Sequence, residues 1–286
     1  MNEIITALTR AASFGTPLLL ASLGAIVGER AGVVNLGIEG MMAIGALAAF
    51  AVAYNGASLI LAVLAAMAAG AVAALLHALV TMTFRANQFV SGLALTMLGL
   101  GVAGLLGKQF EGFPLTNQAL EEPFTIGAVV LAVLLAGVFF YTRAGLILRS
   151  VGENPAAADV LGMNVNLVRV LAVAFGGSLS GAAGAFLSLA YRPSWTDGMT
   201  SGLGWIAVAL VIFVGWNPIR AIFGSLFFGV LYFLQFRLQG SVGVPTEVFA
   251  ALPYLLVIVV LALAGSRGQQ GNAPEALGKP YQRGER

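Results

Sequence analysis

Residues 57–84 form an apolar block without a single Asp, Glu, Lys or Arg. In lipid every main-chain N–H and C=O must find its partner within the protein. A helix does this over one segment, so long uncharged apolar runs read as membrane-crossing helices. Further blocks occur along the chain. With roughly 20 apolar residues needed to cross the hydrocarbon core, spans are predicted at 11–28, 33–54, 57–84, 87–107, 124–142, 168–190, 203–216, 219–237 and 246–264. Block 203–216 is short for a crossing, and 57–84 is long enough to tilt or emerge into water. Of the 286 residues, 59% are hydrophobic and only 9% charged, whereas soluble domains carry about 25% charge. The expected architecture is all-α: a polytopic transmembrane helical bundle of about nine spans.

The cations orient the bundle. Placing loop 143–167 in the cytoplasm puts Arg30, Arg85, Arg143, Arg149, Arg169, Arg220, Arg267, Lys279, Arg283 and Arg286 inside, and Arg10, Lys108, Arg192 and Arg237 outside. Cytoplasmic loops are enriched in Lys and Arg, and this sense gives an external amino end and an internal carboxyl end. The amino terminus carries Glu3 and lacks a cationic start, so it does not read as a cleaved signal peptide. The transmembrane domain is expected over 1–265. Beyond Ser266 the sequence turns to Gly, Gln, Asn, Pro and charges, and 266–286 is expected to be a disordered cytoplasmic tail.

Several chemistries are excluded or weakened. The chain has no cysteine, so disulfides, thiol nucleophiles and thiolate metal sites are absent. The net charge of +2 is scattered, without the basic stripe of a nucleic-acid binder. His77, the one histidine, lies on an Ala/Leu face away from paired carboxylates and reads as a packing residue. No Walker A pattern surrounds Gly107-Lys108, since Gln109 follows and Val102 stands where its first glycine would be. If ATP is used, another polypeptide hydrolyses it. Neither a metal nor a cofactor is expected.

Small residues recur four apart at Ala62, Ala66, Gly70, Ala74 and Ala78, and at Ala172, Gly176, Ser180, Gly184 and Ser188. Such ladders let helix backbones approach closely in lipid.

Polar segments interrupt the apolar blocks at four places. Arg149 to Gly162 offers a short polar helix, with Pro155 at its first position, where the missing N–H costs nothing. Gly28 to Gly40 reads either as a broken helix, with Asn35 and Glu39 lining or supporting a pathway, or as a cytoplasmic turn with Glu29 and Arg30 solvated and Asn35 capping the next helix. Asn87, Gln88 and Thr96 suit an uncharged hydrogen-bonding solute, or a helix start followed by a threonine bonded to its own backbone. The loop Tyr191 to Trp205 places Trp195 and Trp205 either against a solute ring or in an interfacial belt. Glu247 reads as a first-turn acid favoured by the helix dipole.

Four segments together resemble the permease subunit of bacterial ABC importers, in the family that includes branched-chain amino acid, ribose-type sugar and nucleoside permeases. They are Gly28-Glu-Arg-Ala-Gly-Val-Val-Asn-Leu-Gly-Ile-Glu-Gly-Met-Met42, Ser91-Gly-Leu-Ala-Leu-Thr96, Gly152-Glu-Asn-Pro-Ala-Ala-Ala158 with Gly162, and Gly243-Val-Pro-Thr-Glu-Val-Phe-Ala-Ala-Leu-Pro-Tyr254. The first two resemble the simple-sugar and nucleoside branch most closely. The resemblance implies a noncatalytic subunit of the bacterial inner membrane. It would pair with a second permease, identical or different, and work with ABC ATPase subunits and an extracytoplasmic binding protein. Gly152, Glu153, Asn154, Pro155, Ala157, Ala158 and Gly162 would form the helix that couples to the ATPase. Leu203 stands where the family usually has Arg between two glycines, so no role of that Arg carries over. The expected solute is a nucleoside. A sugar or branched-chain amino acid permease, an ion-coupled carrier relying on Glu39 or His77, and a membrane scaffold are the alternatives.

Overall fold

The computed structural model describes residues 2–115, 121–238 and 273–282, with the isolated positions Val248, Ala251, Leu255, Ile258, Val259 and Ala262. Its α-helices are α1 (Asn2–Arg30), α2 (Ile38–Tyr54), α3 (Leu59–Ala78), α4 (Gln88–Gly107), α5 (Glu121–Tyr141), α6 (Arg143–Glu153), α7 (Pro155–Val160), α8 (Val165–Ala185), α9 (Leu203–Phe213) and α10 (Pro218–Leu238). Helix α3 runs on through a π-helical turn, Leu79–Thr83, and α8 through another, Phe186–Tyr191. No strand forms among the described residues; two isolated bridges join Glu111 to Trp195 and Pro114 to Ser194.

Local chemistry sets most helix starts. The first turn of a helix leaves N–H groups unpaired, and a short polar side chain just before it can accept from them. Ser58 accepts from Leu61 N, Asn87 from Phe89 N and Val90 N, and Thr142 from Gly145 N. Asn154 accepts from Ala157 N, Asn164 from Leu167 N, and Asn217 from Ile219 N and Arg220 N.

Six described helical segments are long and apolar enough to cross a membrane: Thr6–Arg30, Leu59–Thr83, Gln88–Phe110, Glu121–Tyr141, Val165–Tyr191 and Pro218–Gln235. Two shorter apolar helices accompany them, Ile38–Tyr54 and Leu203–Phe213. Block 33–54 becomes helical only at Ile38, because residues 31–37 are unwound. The block 246–264, Glu247 and the segment Gly243–Tyr254 lie outside the described residues, apart from isolated positions.

Helices α1 and α8 are largely buried, whereas α3, α4 and α5 each show an exposed apolar face carrying residues such as Ile60, Val72, Met97, Leu105, Ile126 and Leu134. The α3 ladder packs on Gly177 and Gly181 of α8, one position off the α8 ladder, which turns instead to α1 and α2, with Gly176 on Gly24 and Gly184 on Met42 and Ala46. All ten ladder positions are buried. A Cβ added at Gly70 would run into Gly177 O, and one added at Gly181 into Ala66 O. The approach is therefore backbone to backbone, with dispersion in place of the hydrophobic effect.

Part of the tail departs from the expected disorder. Residues 273–282 turn back onto the body, and Ala276 is buried. Two main-chain N–H groups, of Ala276 and Gly278, donate to carbonyl oxygens of the body, and Ala273, Leu277 and Tyr281 pack against its apolar clusters.

The α3–α8 contact has a direct test. Gly181→Leu should force α3 and α8 apart, at the cost of about 1–3 kcal/mol typical of overpacking, and lower the melting midpoint in detergent. Gly101→Ala should leave it unchanged or raise it, since nothing lies within 4 Å of its Cβ position. Equal midpoints in the two variants would refute the close approach.

Candidate functional site

Two interruptions of the helical structure define the interior. The first, residues 31–37, follows α1. Unwound main chain inside an apolar bundle must be satisfied by protein, and distant side chains do this. Gln88 Oε1 accepts from Val34 N at 2.8 Å, and the Thr96 hydroxyl donates to Leu36 O at 2.8 Å. The His77 ring lies 3.1 Å from Val34 O through Nε2 and 3.0 Å from the Ser91 hydroxyl through Nδ1. Asn35 Oδ1 accepts from Gly37 N at 2.7 Å, a local turn that leads into α2. Gln88 and Thr96 are eight residues apart on α4, about 12 Å at the helical rise. The break therefore penetrates the bundle instead of skirting its end.

The second interruption precedes α9. That helix has 11 residues, about 16 Å long and well short of the roughly 30 Å hydrocarbon core. Its amino end is met by Glu39, from the first turn of α2. The two carboxylate oxygens accept from Gly202 N at 2.8 Å and Gly204 N at 2.6 Å. A side chain at 204 would collide with the backbone of Glu39, so the glycine there is a packing requirement. The Glu39 charge also faces the positive end of the α9 dipole. The two interruptions thus meet through a single carboxylate.

The end of α1 is fixed just as firmly. Glu29 is buried and accepts from the Trp216 indole N–H. Arg30 donates to Trp216 O at 3.2 Å and Gly215 O at 3.4 Å. The turn between α9 and α10 is thereby tied to the point where α1 unwinds. A solvated Glu29 and Arg30, the alternative for this segment, is not what the structure shows.

The polar element 149–162 lies between α5 and α8 as two short helices meeting at Asn154. Asn154 is the C-cap of α6 and the N-cap of α7, with Pro155 at the first position of α7. Ala158 is buried against Val151 and Val165. Glu153, Asn154, Ala156, Ala157 and Gly162 are exposed, as are Val160 and Leu161 at 88% and 75%. Gly162 has φ +83°, the left-handed turn that ends α7. The element thus anchors one face and offers the other.

The remaining candidates separate. Asn87 is an exposed cap of α4. Trp195 is buried, with its indole on Gly107 and in one cluster with Phe50 and Phe110. Trp205 is 36% exposed on α9. Leu203 lines a cavity of about 250 Å³ with Ser13, Phe14, Tyr191, Tyr232 and Gln235. Phe14 and Tyr232 are nearly parallel, with centroids 6.3 Å apart, and buried Gln235 Oε1 lacks a hydrogen-bond partner among the described residues. Sequence reasoning missed Tyr232 and Gln235, since both sit in the apolar block 219–237 and meet Phe14 only through the fold. Arg169 was counted only as a loop cation. It is buried, and its guanidinium donates to Ala31 O at 3.1 Å and Lys279 O at 3.1 Å.

Comparisons with known proteins agree on one family. Residues 7–261 match the family described as branched-chain amino acid transport system, permease component. A permease named for glucose, TsgC13 of Haloferax volcanii, is 37% identical over 94% of this chain and 94% of its own. The guanosine permease NupQ of Bacillus subtilis is 36% identical over 96% of this chain and 95% of its own. The nucleoside permease NupC of Lactococcus lactis is 33% identical over 94% of each. A solved inward-facing structure described as a metal-chelate type ABC transporter superposes with TM-score 0.54 at 15% identity, covering 90% of this chain and 85% of that one. At that identity it shows a shared fold.

The Glu39 cap can be tested on its own. Glu39→Ala should strip α9 of its two charge-assisted bonds, each worth roughly 1.5–3 kcal/mol. Hydrogen exchange should accelerate at the Gly202 and Gly204 amides and remain unchanged in α5. Unaltered protection at both glycines would show that the carboxylate does not hold this helix.

Proposed function

The chain belongs to the branched-chain amino acid transport system permease component family, and from that premise we propose that it carries nucleosides inward through the cytoplasmic membrane of its cell. It is the membrane-spanning permease subunit of an ABC importer and performs no covalent chemistry; ATP hydrolysis belongs to a separate subunit. Association with an ABC ATPase and a substrate-binding protein follows from the family.

The element that meets the ATPase in this reading is 152–162, with Gly152, Glu153, Asn154, Pro155, Ala157, Ala158 and Gly162. The observation that carries it is the exposed, Asn-capped α7 projecting between two membrane-length helices while Ala158 holds it to the body. Small exposed side chains suit entry into a cleft of a soluble partner. The matching orientation has 143–167 and the carboxyl end inside and the amino end outside. A second permease, identical or different, completes the pathway against the exposed apolar faces of the bundle.

ATP binding would draw two ATPases together and displace α7, and the bundle would switch between inward and outward access. Asn35, Glu39, Asn87, Gln88 and Thr96 belong to the pathway as its supports: they hold the 31–37 break and the amino ends of α4 and α9. Trp195 and Trp205 mark the outer entrance. Nucleosides are favoured by the guanosine and nucleoside relatives. The aromatic cavity holding Gln235 also suits a ring-shaped solute. A glucose-type relative of similar identity makes a sugar the second reading.

The decisive experiment is reconstitution with the cognate ATPase and binding protein. Nucleosides should compete for uptake; competition by ribose, glucose or leucine without competition by nucleosides would end the substrate assignment. Ala157→Trp and Glu153→Arg should leave a folded membrane protein and abolish ATP-driven uptake. Retained uptake in both would remove the coupling role. Gln235→Leu should raise the half-saturation concentration for a nucleoside up to about tenfold, the scale of one hydrogen bond, and an unchanged value would exclude Gln235 from solute contact.

A further inference from the structure

The segment 273–282 lies where three parts of the molecule converge. Ala276 N–H donates to Gly152 O at 2.9 Å, at the end of α6. Gly278 N–H donates to Gly32 O at 3.2 Å, at the start of the break. Lys279 O accepts from Arg169 Nη1 at 3.1 Å, in the first turn and a half of α8, and Glu275 N–H donates to Glu153 Oε2 at 3.3 Å. The segment is itself turned by Leu277 N–H to Pro274 O and Lys279 N–H to Ala276 O. Tyr281 packs with the Val151, Ala158 and Val165 cluster beneath α7. The contact beneath is equally tight: Gly152 lies against Arg30 O with no room for a Cβ, and a side chain at Gly32 would meet Arg169 and Ala276 O.

We propose that residues 273–282 are a strap that fastens the coupling element to the 31–37 break, so that a displacement of α7 reaches the helix ends inside the bundle. The inference rests on the coupling role given to α7 above and adds the transmitting part. Two features give it physical content. The strap bonds to main-chain groups on both sides, which fixes their separation without depending on side-chain rotamers. Arg169 bonds the strap and the break at once, through Nη1 to Lys279 O and Nε to Ala31 O. From there the break is held by Gln88, His77 and Thr96, and Glu39, just beyond it, holds α9. Chains of packed and hydrogen-bonded groups of this kind carry coupling between distant sites when the element they join has two arrangements.

The measurement is solute moved per ATP hydrolysed, in proteoliposomes containing permease, ATPase and binding protein. A chain ending at Asn272 should still bind the ATPase and hydrolyse ATP, with the ratio lowered at least fivefold. An unchanged ratio would overturn the strap. If the truncated chain does not assemble, Tyr281→Ala decides: the ratio should fall at least twofold, and parity with the parent would overturn the proposal. Ala157→Trp separates the two ideas. If it abolishes uptake while the strap variants keep the parent ratio, the strap alone fails; if it retains uptake, the coupling role of α7 fails first.

Discussion

Unwound main chain inside an apolar bundle has no water to bond, and this molecule depends on how that need is met. Gln88, His77, Thr96 and Arg169 reach into the 31–37 break from α3, α4 and α8, and Glu39 serves the start of α9. Each buried polar side chain would be a burden alone. Paired with main chain that cannot be helical, it becomes the reason the chain can leave the helix there. The polarity of this interior is structural, and it positions two helix ends face to face.

Close packing makes that arrangement possible. Gly40, Gly92 and Gly99 let α2, α4 and the break approach until backbone touches backbone, as Gly24 and Gly176 do for α1 and α8. A bundle of large side chains would hold its helices 8–10 Å apart and leave Thr96 and Gln88 short of their targets. The small residues thus serve the hydrogen bonds as well as the packing. The rigid centre of α1 and α8 leaves α3, α4 and α5 to present apolar surface outward, as a chain that meets lipid and a partner must.

What could be read in advance was local. Asn87 and the Asn154-Pro155 pair announce helix starts because capping needs only neighbours within three residues, and the ladders announce themselves because helical spacing is fixed. Gln88 and Thr96 were visible as polar positions, but their acceptor and donor lie more than fifty residues away, so solute and scaffold could not be told apart from spacing. Trp195 is buried on Gly107, a contact that no periodicity encodes. The tail misled for a different reason. Its composition is poor in apolar residues, yet residues 273–282 combine main-chain bonds, which every sequence possesses, with packing of Ala273, Ala276, Leu277 and Tyr281 on residues distant in sequence.

The strap gives the molecule a direction in time. Its partners Gly32, Gly152 and Arg169 are made early, and Ala276 and Lys279 emerge more than a hundred residues later. During synthesis the helices before it must therefore form while Gly32, Gly152 and Arg169 still lack these partners. A chain made only as far as α8 leaves these groups without the bonds that the later segment supplies. The order of the sequence thus fixes the order in which these three anchors can be joined.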